Sequence, residues 1–328
     1  MINEFITLIV GFTASLLSMP LVMKFMKKKG IVGVDMHKKN KPVIPEMGGV
    51  AVIIGIAASV AIASVLTPEK NRLLLSFLAS ALIAGVVGAV DDLKPLSARV
   101  KPFLTLFSGM PILMLCTYDP RGPIFPIIGR TRLTIVYPIL IIVALAVTSN
   151  AVNMLDPFNG TMSGTCTVIA ATLLISSLIL GRNDGMLLSL CMLGPLLVLY
   201  LFNRYPAKVF SGDVGSLSIG AALGAIAILG HLEAVAIVAF APQIMNGFYG
   251  LSTMGRLYER REAARPVVLL DDERLMATSD PEAPLTLARI ILARGPLYEY
   301  EAARVIIILS IISGILAIFT AYLIKVTT

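Results

Sequence analysis

Long apolar runs alternate with compact polar clusters along the whole chain. Stretches long enough to cross a hydrocarbon core occupy residues 2–26, 48–66, 73–90, 103–116, 133–152, 163–180, 186–202, 214–230, 235–254 and 304–324. One helical crossing takes roughly 20 residues, so the pattern predicts an all-α, polytopic membrane bundle of about ten transmembrane helices. The whole chain, 1–328, reads as a single integral membrane domain, with 253–303 as the loop between the last two spans. The fourth stretch is short, and Pro111 interrupts it.

Composition makes the same demand. Of 328 residues, 57% are hydrophobic and 14% charged, and the mean hydropathy is +0.87; that much apolar surface needs a bilayer as solvent. Basic residues then set the orientation, because Lys and Arg near helix ends stay on the cytosolic side. Lys24, Lys27, Lys28 and Lys29, followed by Lys38, Lys39 and Lys41, place the first loop inside and both termini outside. Lys94, Arg99, Lys101, Arg204, Lys208, Arg256, Arg260, Arg261 and Arg265 agree, whereas Arg121, Arg130 and Arg132 fall in an external loop. No positive charge precedes the first apolar run, so that segment is expected to be retained rather than cleaved.

Charge and cysteine usage exclude several classes. The net charge of +7 is ascribed to anionic headgroups, with membrane lipids as partners and no nucleic acid. Cys116, Cys166 and Cys191 sit in apolar segments without CxxC spacing and read as small core residues. His37 and His231 lie on opposite sides of the expected topology, which leaves no histidine zinc site. Walker, Rossmann and HExxH signatures are absent.

The polar residues gather on the cytosolic side. Asp91 and Asp92 end the third run, where the helix macrodipole disfavours negative charge. A divalent cation or one of Lys94, Arg99 and Lys101 would compensate them; a solvated loop of paired acids and bases is the competing reading. Asn150 and Asn153 share a helical face that Asp156 continues if the helix persists to Pro157, and such a stripe suits a hard cation or a uridine; capping and turn residues give the bland alternative. Asp213, after Ser211 and Gly212, is placed to cap the next helix or to act in catalysis. Asp35, His37, Lys38 and Ile44-Pro45-Glu46 complete the set in the first loop.

Taken together and in order, these motifs resemble the polyprenyl-phosphate N-acetylhexosamine-1-phosphate transferases. Asp35-Met-His-Lys38, Ile44-Pro45-Glu46, Asp91-Asp92, Lys101, Asn150-Ala-Val-Asn153, Asn203-Arg-Tyr-Pro206 and Val209-Phe-Ser-Gly-Asp213 carry the likeness over nearly the whole length, with Pro242-Gln243 and Gly295-Pro296 in support. The branch it is most similar to makes dolichyl-diphosphate N-acetylglucosamine. The resemblance implies a UDP-sugar donor, a polyprenyl or dolichyl phosphate acceptor, and magnesium, or manganese in its place. It implies Asn153 and Asp213 as metal ligands, Asp91 and Asp92 positioning metal or acceptor, and Lys101 on phosphate oxygens. Glu46, Lys38, Asn150 and Asp156 would contribute to substrate binding. The bacterial histidine-rich motif is missing between Ser252 and Arg304, and Arg260-Arg261 and Arg265-Pro266 stand in place of the eukaryotic Arg-His-Arg cluster; Arg265 is the candidate diphosphate clamp. Asp156 stands where eukaryotic members tend to have a small residue.

Short loops and tails look archaeal, so the expected location is a prokaryotic plasma membrane with a cytosolic active site, and a homodimer is one expected assembly. The acceptor phosphate is already an anion, so positioning and charge neutralisation suffice for direct in-line attack; a covalent aspartyl-phosphate on Asp91 or Asp92 is the alternative. A secondary transporter would need ionisable or broken-helix sites at the bilayer midplane, and an intramembrane prenyltransferase a second helical acidic motif, which Asp271-Asp272-Glu273 does not supply.

Overall fold

Helix breakers and close backbone contacts fix where the spans begin, end and cross. The computed structural model describes residues 2–255 and 263–327. In chain order the helices are α1 (Ile2–Lys29), α2 (Gly49–Leu66), α3 (Asn71–Leu93), α4 (Val100–Thr105), α5 (Met110–Met114), α6 (Tyr137–Met154) and α7 (Thr161–Leu180). They continue with α8 (Asn183–Asn203), α9 (Gly212–Leu229), α10 (Glu233–Ala239), α11 (Ala241–Met254), α12 (Leu287–Leu292) and α13 (Glu299–Thr327). Three small antiparallel hairpins interrupt them: β1 (Val32–Val34) with β2 (Val43–Pro45), β3 (Ile124–Phe125) with β4 (Gly129–Arg130), and β5 (Val267–Leu269) with β6 (Leu275–Ala277).

Among the described residues eight helices are long and apolar enough to cross a membrane: α1, α2, α3, α6, α7, α8, α9 and α13. The ninth expected run is not one straight helix. It divides into α10 and α11, bent by 63°, because Pro242 in the first turn of α11 has no N–H to continue the ladder. The fourth expected run is broken further, into α4, a 3-10 turn over Leu106–Gly109, and α5. Pro111 does not interrupt a helix there; it opens α5, where its missing N–H costs nothing.

The core centres on α9. Every residue from Val214 to Leu229 is buried, and α9 packs against α3, α6, α2 and α8. Small residues permit such close crossings without a bulky side chain between backbones. At the α2 crossing a Cβ on Gly49 would lie 2.1 Å from Gly215 Cα, so the two glycines are a steric requirement. The outer helices show the reverse pattern: Leu17, Leu21, Ile315 and Phe319 on α1 and α13 are exposed, as lipid-facing residues are.

Cys166 and Cys191 are buried as expected, but Cys116 is exposed in the turn after α5. Two of the three basic residues that opposed the charge rule, Arg121 and Arg130, have a local explanation. Asp119 takes Arg121 at 2.9 Å and Arg130 at 2.5 Å, and the Arg121 guanidinium, with Arg130 beside it, holds that carboxyl well below the ordinary carboxylate range despite burial. The 253–303 segment is not a bare loop, since β5, β6 and α12 pack Leu275, Leu287 and Leu292 against Leu155 and Phe158 of the α6–α7 turn. Arg256, Arg260 and Arg261 lie outside the described residues.

Candidate active site

Asp91 and Asp92 occupy the last turn of α3, at the negative end of its dipole, and the chain compensates each in a different way. Both oxygens of Asp92 accept backbone N–H bonds from the first turn of α9: Asp213 N donates at 2.7 Å and Val214 N at 3.0 Å. The unsatisfied amides and partial positive charge of that helix start face the carboxylate. Gly212 makes the approach possible. Its φ is +69°, and a Cβ there would stand 2.6 Å from Asp92 Oδ2. The cap of α9 is therefore Asp92, reaching in from α3; Asp213 presents its backbone N–H to that cap, contrary to the capping role its local sequence suggested.

Asp91 takes the other route. Its Oδ1 accepts from Leu96 N at 2.6 Å, and its Oδ2 lies 2.6 Å from Lys101 Nζ. The same ammonium donates to Asp213 Oδ2. One cation on α4 is thus shared by a carboxylate from α3 and one from α9. Burial pulls the Lys101 ammonium down, but the Asp213 and Asp91 carboxylates outweigh it and raise its pKa above the ordinary lysine value. Lys101 consequently stays charged at neutral pH. Asp91, Lys101 and Asp213 all keep partial exposure, so the junction is open to a ligand.

The end of α6 closes one side. α6 stops at Met154, so Asn153 lies in its last turn while Asp156 is already off the helix, not on a continued face. Ser211, just before α9, donates from Oγ to Asp156 Oδ2 at 3.2 Å, which brings Asp156 to the same helix start. Asn150 faces elsewhere: its Nδ2 donates to Thr105 Oγ1 and to Ala146 O, each at 2.8 Å, bracing α4 against α6.

A backbone zipper joins the first loop to the α8–α9 loop. Phe210 N donates to Pro45 O (2.9 Å), Gly48 N to Phe210 O (2.8 Å) and Gly49 N to Ser211 O (2.9 Å). Glu46 rides on this zipper beside Phe210, since a Cβ on Gly33 would meet Glu46 Oε1 at 2.4 Å and Phe210 Cδ2 at 2.9 Å.

Behind it lies a second polar group that the sequence only half disclosed. Lys38 Nζ donates to Asp35 Oδ2 and lies 3.7 Å from Glu299 Oε2 and 4.8 Å from the Tyr205 ring centre. Asn159 donates from Nδ2 to Asp35 (2.9 Å) and from its backbone to Glu299 (2.9 Å). Burial pushes the Asp35 carboxyl up, but the bonds from Lys38 and Asn159 outweigh it and hold its pKa below the usual value. Ligand atoms of Asp35, His37 and Glu299 fall within 4.8 Å of one another, yet the Lys38 ammonium already serves that group. Glu299 was missed because the last span was expected to begin at Arg304; an acid buried to 3% exposure at the head of an apolar run is the signal that could have found it. Arg265 is exposed ahead of β5 and, among the described residues, makes no ion pair.

The described part of the chain is a membrane helical bundle with a carboxylate–lysine junction at one end. Residues 74–231 match the family model described as glycosyl transferase family 4. A "Putative glycosyltransferase" of Methanocaldococcus jannaschii is 30% identical over 97% of this chain and 96% of its own. A Sulfolobus acidocaldarius protein named "Putative UDP-N-acetylglucosamine--dolichyl-phosphate N-acetylglucosaminephosphotransferase" is 28% identical over 95% and 94%. The phospho-N-acetylmuramoyl-pentapeptide-transferase of a Streptococcus pyogenes strain is 32% identical over 68% and 71%. The chain belongs to glycosyl transferase family 4, and it is an integral membrane transferase.

Proposed function

We propose that the enzyme transfers N-acetylglucosamine-1-phosphate, or a related N-acetylhexosamine-1-phosphate, from a UDP-sugar to a polyprenyl or dolichyl phosphate. The observation that carries the proposal is the junction at the ends of α3, α4 and α9, where Asp91 and Asp213 share the Lys101 ammonium. The printed names of the archaeal and bacterial relatives support the same donor and acceptor chemistry.

The donor set fits magnesium. Two carboxylates from separate helices already converge on a single cationic centre, and Asp156 brings a further hard oxygen donor to the start of α9. Asp213 and Asn153 would hold the ion, which when bound neutralises charge on the donor diphosphate. Lys101 binds phosphate oxygens and keeps its proton. Asp91, tied to Leu96 N, orients Lys101. Asp92 fixes the start of α9 and with it Asp213. The acceptor oxygen attacks the sugar-linked phosphorus in line, the new P–O bond forms as the bond to UMP breaks, and no side chain needs to remove a proton from the dianionic acceptor. Lys38 and Glu46 belong to the nucleotide side, and Arg265 to the diphosphate once the last loop engages it. A prokaryotic plasma membrane with the junction in the cytosol supplies the donor directly.

The test is transfer itself. Purified protein in detergent, given labelled UDP-N-acetylglucosamine, polyprenyl phosphate and magnesium, should form a lipid-linked diphosphate sugar and release UMP in equal amount. UMP release with no labelled lipid, or no turnover with any UDP-N-acetylhexosamine, would refute the assignment.

A further inference from the structure

Opposite the carboxylate junction, α7 and α13 end side by side. Both helices start at the site, through Asn159-Gly160 and Glu299, and 20 residues of α7 and 29 of α13, at about 1.5 Å each, carry them to the other end. Between their ends lies a cavity of about 510 Å³, lined by Leu178, Leu180, Arg182, Ile324 and Lys325 among others. Its walls are about as polar as they are apolar, and it opens onto the lipid-facing surface: Leu178 is 54% exposed, and Phe319, Tyr322 and Val326 are exposed along α13.

Its two polar side chains, Arg182 and Lys325, are both cations. Arg182 Nε is buried without an acceptor, and among the described residues neither Arg182 nor Lys325 is ion-paired. Of the nearby acids, Asp184 is paired with Lys70 at 2.9 Å, and Glu233 accepts the Tyr137 hydroxyl at Oε1 while its Oε2 is buried without a hydrogen bond; neither forms an ion pair with Arg182 among the described residues. A charged donor buried without a partner costs free energy that an anion would recover.

We propose that this cavity binds the headgroup phosphate of an anionic phospholipid from the adjoining leaflet, with an acyl chain along Leu178 and the outer face of α13. Free phosphate would leave the apolar part of the lining, Leu178, Leu180 and Ile324, uncovered. A zwitterionic headgroup would bring its own cation toward Arg182 and Lys325. The site is remote from the junction and independent of the transfer reaction.

Full-length protein stripped of lipid in neutral detergent is titrated with phosphatidylglycerol, phosphatidylcholine or inorganic phosphate, with binding read by native mass spectrometry and stability by the unfolding midpoint. Phosphatidylglycerol should be retained and raise the midpoint, while the other two do neither. Lys325→Gln, an exposed change near the chain end, should weaken phosphatidylglycerol binding about fivefold. Adding Arg182→Gln should abolish it with transfer activity unchanged, whereas Arg182→Lys should retain it. Equal retention of phosphatidylcholine, equal stabilisation by inorganic phosphate, or unchanged phosphatidylglycerol affinity in Lys325→Gln would overturn the proposal.

Discussion

Replacing Asp92 by Asn keeps the side chain's shape but turns an NH2 toward one of the two α9 amides, Asp213 N or Val214 N, that now donate to a carboxylate oxygen. Lost caps cost about 0.5–2 kcal/mol, so Asp92→Asn should lower the unfolding midpoint measurably, while Asp91→Asn, whose partners are Leu96 N and Lys101, should slow turnover with a smaller effect on stability. Equal destabilisation by the two variants would contradict the division of roles. If either acid were the nucleophile, labelled UMP would exchange into the UDP-sugar with lipid rigorously excluded; no exchange is expected. Asp35 gives a pH dependence. Its pKa is held below the ordinary value in the folded state, so its stabilising contribution is complete above the ordinary aspartate pKa of about 3.9 and is lost as pH falls through the folded value. The stability gap between wild type and Asp35→Asn should therefore be flat near neutrality and close only on strong acidification.

At the scale of elements, Gly212 is the hinge on which α9 meets α3. A residue with a Cβ would be strained at φ +69° and would collide with Asp92 Oδ2, and such positions cost about 1–3 kcal/mol. Gly212→Ala should therefore both destabilise the fold and reduce turnover; a neutral Gly212→Ala in thermal unfolding would remove the steric argument. Runs of apolar residues made most spans legible in the sequence, because the bilayer imposes a length that composition reveals. The break between α10 and α11 was less legible, since Pro242 permits a bend but only packing sets it at 63°. The capping contact was not legible at all: Asp92 and Asp213 are 121 positions apart, and local rules assigned the cap to the nearer acid.

For the whole molecule, the polar clusters of the first loop and of α3, α4, α6 and α9 converge at one end, as the one-sided gathering of Asp, Asn and Lys implied. Glu299 joins them from α13 because the last helix starts earlier than hydropathy alone suggests. If that end is cytosolic, cysteines placed at Lys94 and Ala207 should resist an impermeant reagent in intact cells while one at Asn183 reacts; the reverse pattern would separate the site from cytosolic nucleotide sugar. The central claim is that the charge junction of Asp91, Lys101 and Asp213 is the reaction centre, and the most direct test compares transfer by wild type and Asp213→Asn across a magnesium titration, with the unfolding midpoint measured on the same samples. The account expects turnover reduced by about 100-fold or more, on the scale of a lost charge-stabilising contact in a transition state, at an unfolding midpoint close to wild type. Wild-type turnover in Asp213→Asn at every magnesium concentration would contradict it.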